Sequence, residues 1–220
     1  MRKWQNEIDD DLTWRENELL YLKKIAFDTK DDKAKSVIIL RSLWIMLYAH
    51  YEGFCKFVWD IYLDHIECAN VKNKDLSKSI MMISLSKILN KHRKGMTNES
   101  LCEFSDIQYP EYLEKCAIFS DENKLSTNSN LYPNVIKENS QKLEISLSSL
   151  DEKGIKTNIK ALVQRRNDIA HGRKMYINNL DEYKIYEDSA FTIMIDLACK
   201  VIDAIEKKVH LKDKVVMQEE

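Results

Sequence analysis

Four glycines and two prolines in a chain of 220 residues leave few places where a helix must stop. Both prolines, Pro110 and Pro133, fall in one central stretch, and Gly53 is the one glycine between Lys33 and Ala69. Leu, Ile, Lys and Glu are abundant, and no segment shows a convincing strand alternation. With 44% hydrophobic residues, the chain can build a substantial core. The expected fold class is all-α, with residues 1–220 forming one domain.

Apolar spacing places the helices. The first spans about Trp4 to Ala26, with Ile8, Leu12, Leu19, Leu20, Leu22 and Ile25 at helical intervals. A second runs from about Lys33 to Ala69 and is expected to bend or break near Gly53. A shorter helix covers about Leu76 to Asn90. Residues 92–149, rich in Ser and Asn and holding both prolines, read as an irregular insertion with one or two short helices. A helix from about Asp151 to His171 follows, with Gly172 placed to close it. After a polar loop from Arg173 to Glu182, a last helix extends to about Val209.

The net charge of −2 provides no global positive field, so any nucleic-acid contact needs a local basic patch. Cys55, Cys68, Cys102, Cys116 and Cys199 are odd in number and lack Cys-x-x-Cys spacing. They read as reduced, mostly buried structural thiols, with no zinc site or other cofactor. The N-terminus has no apolar signal core, and Arg41 interrupts the most apolar stretch, Val37 to Tyr51. A cytoplasmic chain that does not enter the membrane is expected.

The chemistry concentrates in Arg165-Arg166-Asn167-Asp168-Ile169-Ala170-His171-Gly172. On a helical projection, Ile155, Ile159, Leu162, Val163 and Ala170 form an apolar stripe with Arg166 in its middle, while Arg165 and Asp168 face solvent. An arginine among core-facing residues is costly unless it is paired or opens onto a cleft. Either Arg166 pairs with a buried acid and His171 merely ends the helix, or Arg166, Asn167 and His171 form a phosphate-handling site.

On the second helix, Arg41, Tyr48, Glu52 and Lys56 share a face. A solvated Glu52–Lys56 salt bridge is the plain reading. The functional reading is that Glu52 or Tyr48 faces the Arg166 cleft and orients it. His50, on the opposite apolar face, reads as a satisfied core histidine. His92, in the basic run Lys91-His92-Arg93-Lys94, reads as a solvated helix end or an RNA-backbone contact.

Arg166-Asn167-Asp168-Ile169-Ala170-His171 resembles the Arg-x4-His signature of HEPN domains. Leu47-Tyr48-Ala49-His50-Tyr51-Glu52-Gly53-Phe54-Cys55-Lys56 resembles the early helix of a bacterial, MAE-like HEPN branch. The similarity runs from roughly Ser36 to Ile205 and is loose across the insertion. It implies an up-and-down helical bundle that dimerises and cleaves RNA without a metal. By position, Arg166 and His171 would be the catalytic pair and Asn167 a polar accessory; Glu52, Tyr48 and Arg165 are supporting candidates from the residue reading.

The chemistry suits these residue types. Histidine titrates near neutrality and can move a proton. Arginine stays charged and can hold phosphorane oxygens with parallel donors. Arg166 and His171 lie about 140° apart on an ideal helix, which gives a reason for two copies to share one groove. Some HEPN toxins carry a modifiable tyrosine two residues after the histidine. Here that position is Arg173, and the nearest tyrosine is Tyr176. The expectation is therefore a homodimeric endoribonuclease acting as a toxin or antiviral defence effector, with RNA as substrate and a possible antitoxin or defence partner protein. The alternative is a non-catalytic HEPN-like module that binds a nucleotide or a protein.

Overall fold

The computed structural model describes residues 3–93, 97–119, 125–175, 177 and 179–212. Among them the long helices are α1 (Lys3–Asp28), α2 (Lys33–Cys68), α8 (Ile155–Ala170) and α9 (Leu180–Glu206). Shorter ones are α3 (Lys78–Ser84), α4 (Ser86–Arg93), α5 (Asn98–Glu103), α6 (Tyr109–Glu114) and α7 (Pro133–Lys142). The described residues form no β-strand, only isolated bridges at Lys72–Cys116 and Leu76–Leu211. The all-α expectation holds. None of the described helices is long and apolar enough to cross a membrane.

The chain clusters into two compact units. The first holds residues up to Val58, Thr127–Glu138 and Leu147–Lys200, which include α1, most of α2, α8 and most of α9. Trp44, fully buried, donates from its indole N–H to the Leu162 carbonyl at 3.2 Å, pinning α2 to α8. Asn158 of α8 donates to the Ser189 hydroxyl of α9 at 2.8 Å. Lys23 of α1 reaches the Glu187 carboxylate of α9 at 2.8 Å. The α8 residues Ile155, Ile159, Leu162 and Val163 are buried, as their spacing predicts.

The second unit holds Trp59–Ser126, Asn139–Ser146 and the chain from Val201. It packs Tyr62, Leu63 and Ile66 from the end of α2, together with Leu76 and Ile80. The buried His210 ring lies edge-on to Tyr62 and His65, with centroids 6.2 and 6.1 Å away.

Several expectations need correction. Helix α2 is one unbroken helix from Lys33 to Cys68, so it does not break at Gly53. A Cβ there would lie 3.0 Å from Nη1 of Arg15. The single helix expected from Leu76 to Asn90 is two, α3 and α4, which part at Leu85. Within residues 92–149, α5, a π-helical turn (Phe104–Gln108) and α6 follow one another directly, and α7 lies further on. Among the cysteines, only Cys55 is buried; the other four are exposed, and all are free.

Candidate functional site

Helix α8 ends as its sequence signals. The His171 N–H donates to the Asn167 carbonyl at 2.9 Å, the Gly172 N–H to that of Ile169 at 3.0 Å, and the Arg173 N–H to that of Asp168 at 2.9 Å. Gly172 has φ +73°, the left-handed conformation that lets the chain turn away from a helix end. His171 caps the helix with its ring exposed to solvent.

Arg166 is half-buried and faces α2, not open solvent. Its guanidinium carbon sits 4.4 Å from the centroid of the buried Tyr48 ring, a cation–π contact. Its Nη1 donates to Oδ1 of Asn167 at 2.8 Å and to Oδ1 of Asn130 at 3.4 Å. Both acceptors are neutral amides. Among the described residues, no carboxylate forms a salt bridge with Arg166, although Glu52 lines the same cleft. The pairing with a buried acid is therefore not what the structure shows.

Beside Arg166 opens a cleft of about 360 Å³, lined from α2 by Ile45, Tyr48, Ala49, Glu52 and Lys56. Burial pushes the Tyr48 phenol well above its ordinary pKa, and the charge and hydrogen bonding of Glu52 add to the rise. The Leu131 N–H donated to that phenol at 2.9 Å, and the charge of Arg166, oppose it. Tyr48 thus stays a neutral platform under the guanidinium. Glu52 forms no salt bridge with Lys56, so the plain reading of that pair fails. The structure brings together Arg166, Asn167, Tyr48 and Glu52.

Other residues lie elsewhere. Arg165 was expected in solvent, but it is half-buried against the rings of Trp44 (4.9 Å) and Tyr186 (5.2 Å) and bridges Glu182. Its length lets it fold back onto α9, so it serves packing and does not line the Arg166 cleft. Asp168 is also half-buried and accepts from Arg173 at 2.7 Å. Ala170, assigned to the apolar stripe, is exposed, whereas Ile169 is buried. His50 is a buried histidine, as expected, with Nε2 2.8 Å from the Glu18 carboxylate. Tyr176, Lys94 and the side chains of Lys91, His92 and Arg93 lie outside the described residues.

Asn130 was missed by sequence reasoning, because its role depends on a loop that meets α8 only in the fold. Arg15 was missed too. It sits in the buried stripe of α1 and is held by Asp11 at 2.6 Å, with the indole of Trp14 4.7 Å away. The i,i+4 spacing of Asp11 and Arg15 was the available signal. No group of three or more candidate metal ligands occurs among the described residues.

A family model for MAE-like HEPN domains matches residues 4–209. No curated protein and no solved structure matches the chain. A match over nearly the whole length, on an all-α chain whose Arg-x4-His motif closes a helix beside a cleft, places this protein in the HEPN family.

Proposed function

We propose that this protein is a metal-independent RNA endonuclease of the HEPN type, with Arg166 and His171 as its catalytic pair and Asn167 as accessory. The observation that carries the reading is the state of Arg166: a half-buried cation, beside an open cleft, with neutral amides as its only hydrogen-bond partners among the described residues. A structural arginine in that position would be matched by an acid, as Arg15 is by Asp11. A guanidinium with no salt bridge among the described residues suits a phosphodiester.

In the reaction, the RNA 2′-oxygen attacks the adjacent phosphorus while a base takes the 2′-hydroxyl proton. The P–O5′ bond breaks as O5′ gains a proton, leaving a 2′,3′-cyclic phosphate and a 5′-hydroxyl. Arg166 holds the phosphorane oxygens, and His171 moves one of the protons. Because the two side chains splay about 140° apart on one helix, a second copy supplies the convergent groups. An exposed face of α2 supports such a contact. Ile38, Ser42, Ile45 and Ala49 follow one another at helical spacing and lead into the cleft. A role as a toxin or antiviral effector fits an RNA-cutting activity of this kind.

The test is cleavage of single-stranded RNA in excess EDTA, with the new ends identified. Undiminished cleavage leaving 2′,3′-cyclic phosphates is expected. Strict dependence on Mg²⁺ or Mn²⁺ contradicts the mechanism. Binding of RNA or nucleotide with no cleavage would favour the non-catalytic module.

A further inference from the structure

Arg166 carries five N–H donors. The two on Nη1 are both spent, one on Asn167 of its own helix and one on Asn130 from outside it. Nε and Nη2 make no hydrogen bond among the described residues. Those two nitrogens form one edge of the guanidinium fork, the edge that takes two oxygens of a phosphate side by side.

The loop bearing Asn130 is firmly built. Asn128 and Ser129 both adopt positive φ, +52° and +66°, which turns the chain sharply. The Asn130 N–H closes that turn onto the Thr127 carbonyl at 3.0 Å. Leu131 is fully buried, and its N–H donates to the phenol of Tyr48, the ring that underlies Arg166. Non-glycine residues in the left-handed region cost free energy, which the surrounding contacts must offset. Here they set one amide carbonyl against one guanidinium nitrogen.

We propose that Asn130 is a positioning residue for Arg166. With Asn167 it clamps Nη1 and presents the Nε–Nη2 edge to a phosphate group. The amide is suited to this because it orients the cation without neutralising it. An aspartate at the same place would hold the guanidinium equally well but compete with the phosphate for its charge. The inference rests on the reading of Arg166 as a phosphate-binding residue, and its test separates the two claims.

Asn130→Ala and Asn130→Asp are compared by NMR of the Arg166 Nε–Hε group, assigned through its loss in Arg166→Lys, and by titration with inorganic phosphate. Asn130→Ala should make the Nε–Hε bond vector markedly more mobile at unchanged melting temperature. Asn130→Asp should keep it ordered yet weaken phosphate binding about tenfold, the scale of a changed charge-assisted hydrogen bond. A loop-folding role alone would make the two variants alike. Unchanged Arg166 mobility in Asn130→Ala overturns the clamp, whatever the protein does to RNA. An intact clamp in a wild-type protein that neither binds phosphate nor cuts RNA would instead overturn the ribonuclease reading.

Discussion

The guanidinium of Arg166 lies 4.4 Å above the centre of the Tyr48 ring, and the Tyr48 hydroxyl is held by the N–H of Leu131. One aromatic side chain therefore links α2, the motif helix and the loop of Asn130. Tyr48→Phe keeps the ring but strands the buried Leu131 N–H, at a cost of about 1–3 kcal/mol. Tyr48→Ala also empties a large buried volume and should cost about 3–5 kcal/mol. Denaturant unfolding of both variants checks the order. Equal losses would mean that the ring contributes nothing beyond its hydroxyl.

Two arginines of the first unit, Arg15 and Arg166, should behave differently. Arg15→Ala leaves the nearly buried Asp11 carboxylate without its cation and should destabilise the protein by about 3 kcal/mol. Arg166→Ala removes a cation held by neutral amides and should shift stability by less than about 1 kcal/mol. Thermal unfolding of the two variants distinguishes them, and a large loss on Arg166→Ala would mark it as a structural residue.

Stability should fall with acid in a defined window. Burial, aided by the charges of His65 and Lys208, lowers the pKa of His210 from 6.5 to about 4. The unfolded chain therefore takes up a proton first as pH drops. The stabilisation is complete above pH 6.5 and is lost progressively toward pH 4, by about 2–3 kcal/mol in all. His50, pushed the same way mainly by burial, adds to the trend. Unfolding free energies measured from pH 7 to pH 4 check this, and in His210→Phe the slope should flatten.

The proposed shared groove calls for a dimer. Sedimentation at micromolar concentration should give about twice the chain mass of 25.9 kDa. Since Ile169 is already buried within the chain, the proposed contact would fall to exposed positions such as Ala170, Ile38 and Ile45. A charged substitution, Ile45→Glu, should weaken the dimer and the activity together. Full activity in a monomer at nanomolar concentration would remove the groove.

The all-α class and the four long helices were legible because breakers are scarce and apolar spacing is regular. The inward bearing of Arg166 and the closing role of Gly172 were legible for the same geometric reason, since both are properties of one helix. What failed depended on contacts between elements. Gly53, marked as a place to bend or break, leaves α2 unbroken, and a Cβ there would lie 3.0 Å from the Arg15 side chain. Arg165 pointed outward by projection, yet its long side chain folds back onto aromatic rings. Asn130 carries no local signal, because a loop amide gains a role only when the fold sets it against a cation.

The most direct test of the catalytic assignment is RNA cleavage by the wild type beside Arg166→Ala and His171→Ala, with unfolding of each measured in parallel. Both variants should keep the wild-type melting temperature and cut at least about a hundredfold more slowly, the usual size of a lost general acid–base group or charge-stabilising donor. Wild-type rates in either folded variant would show that the residue is not part of the active site.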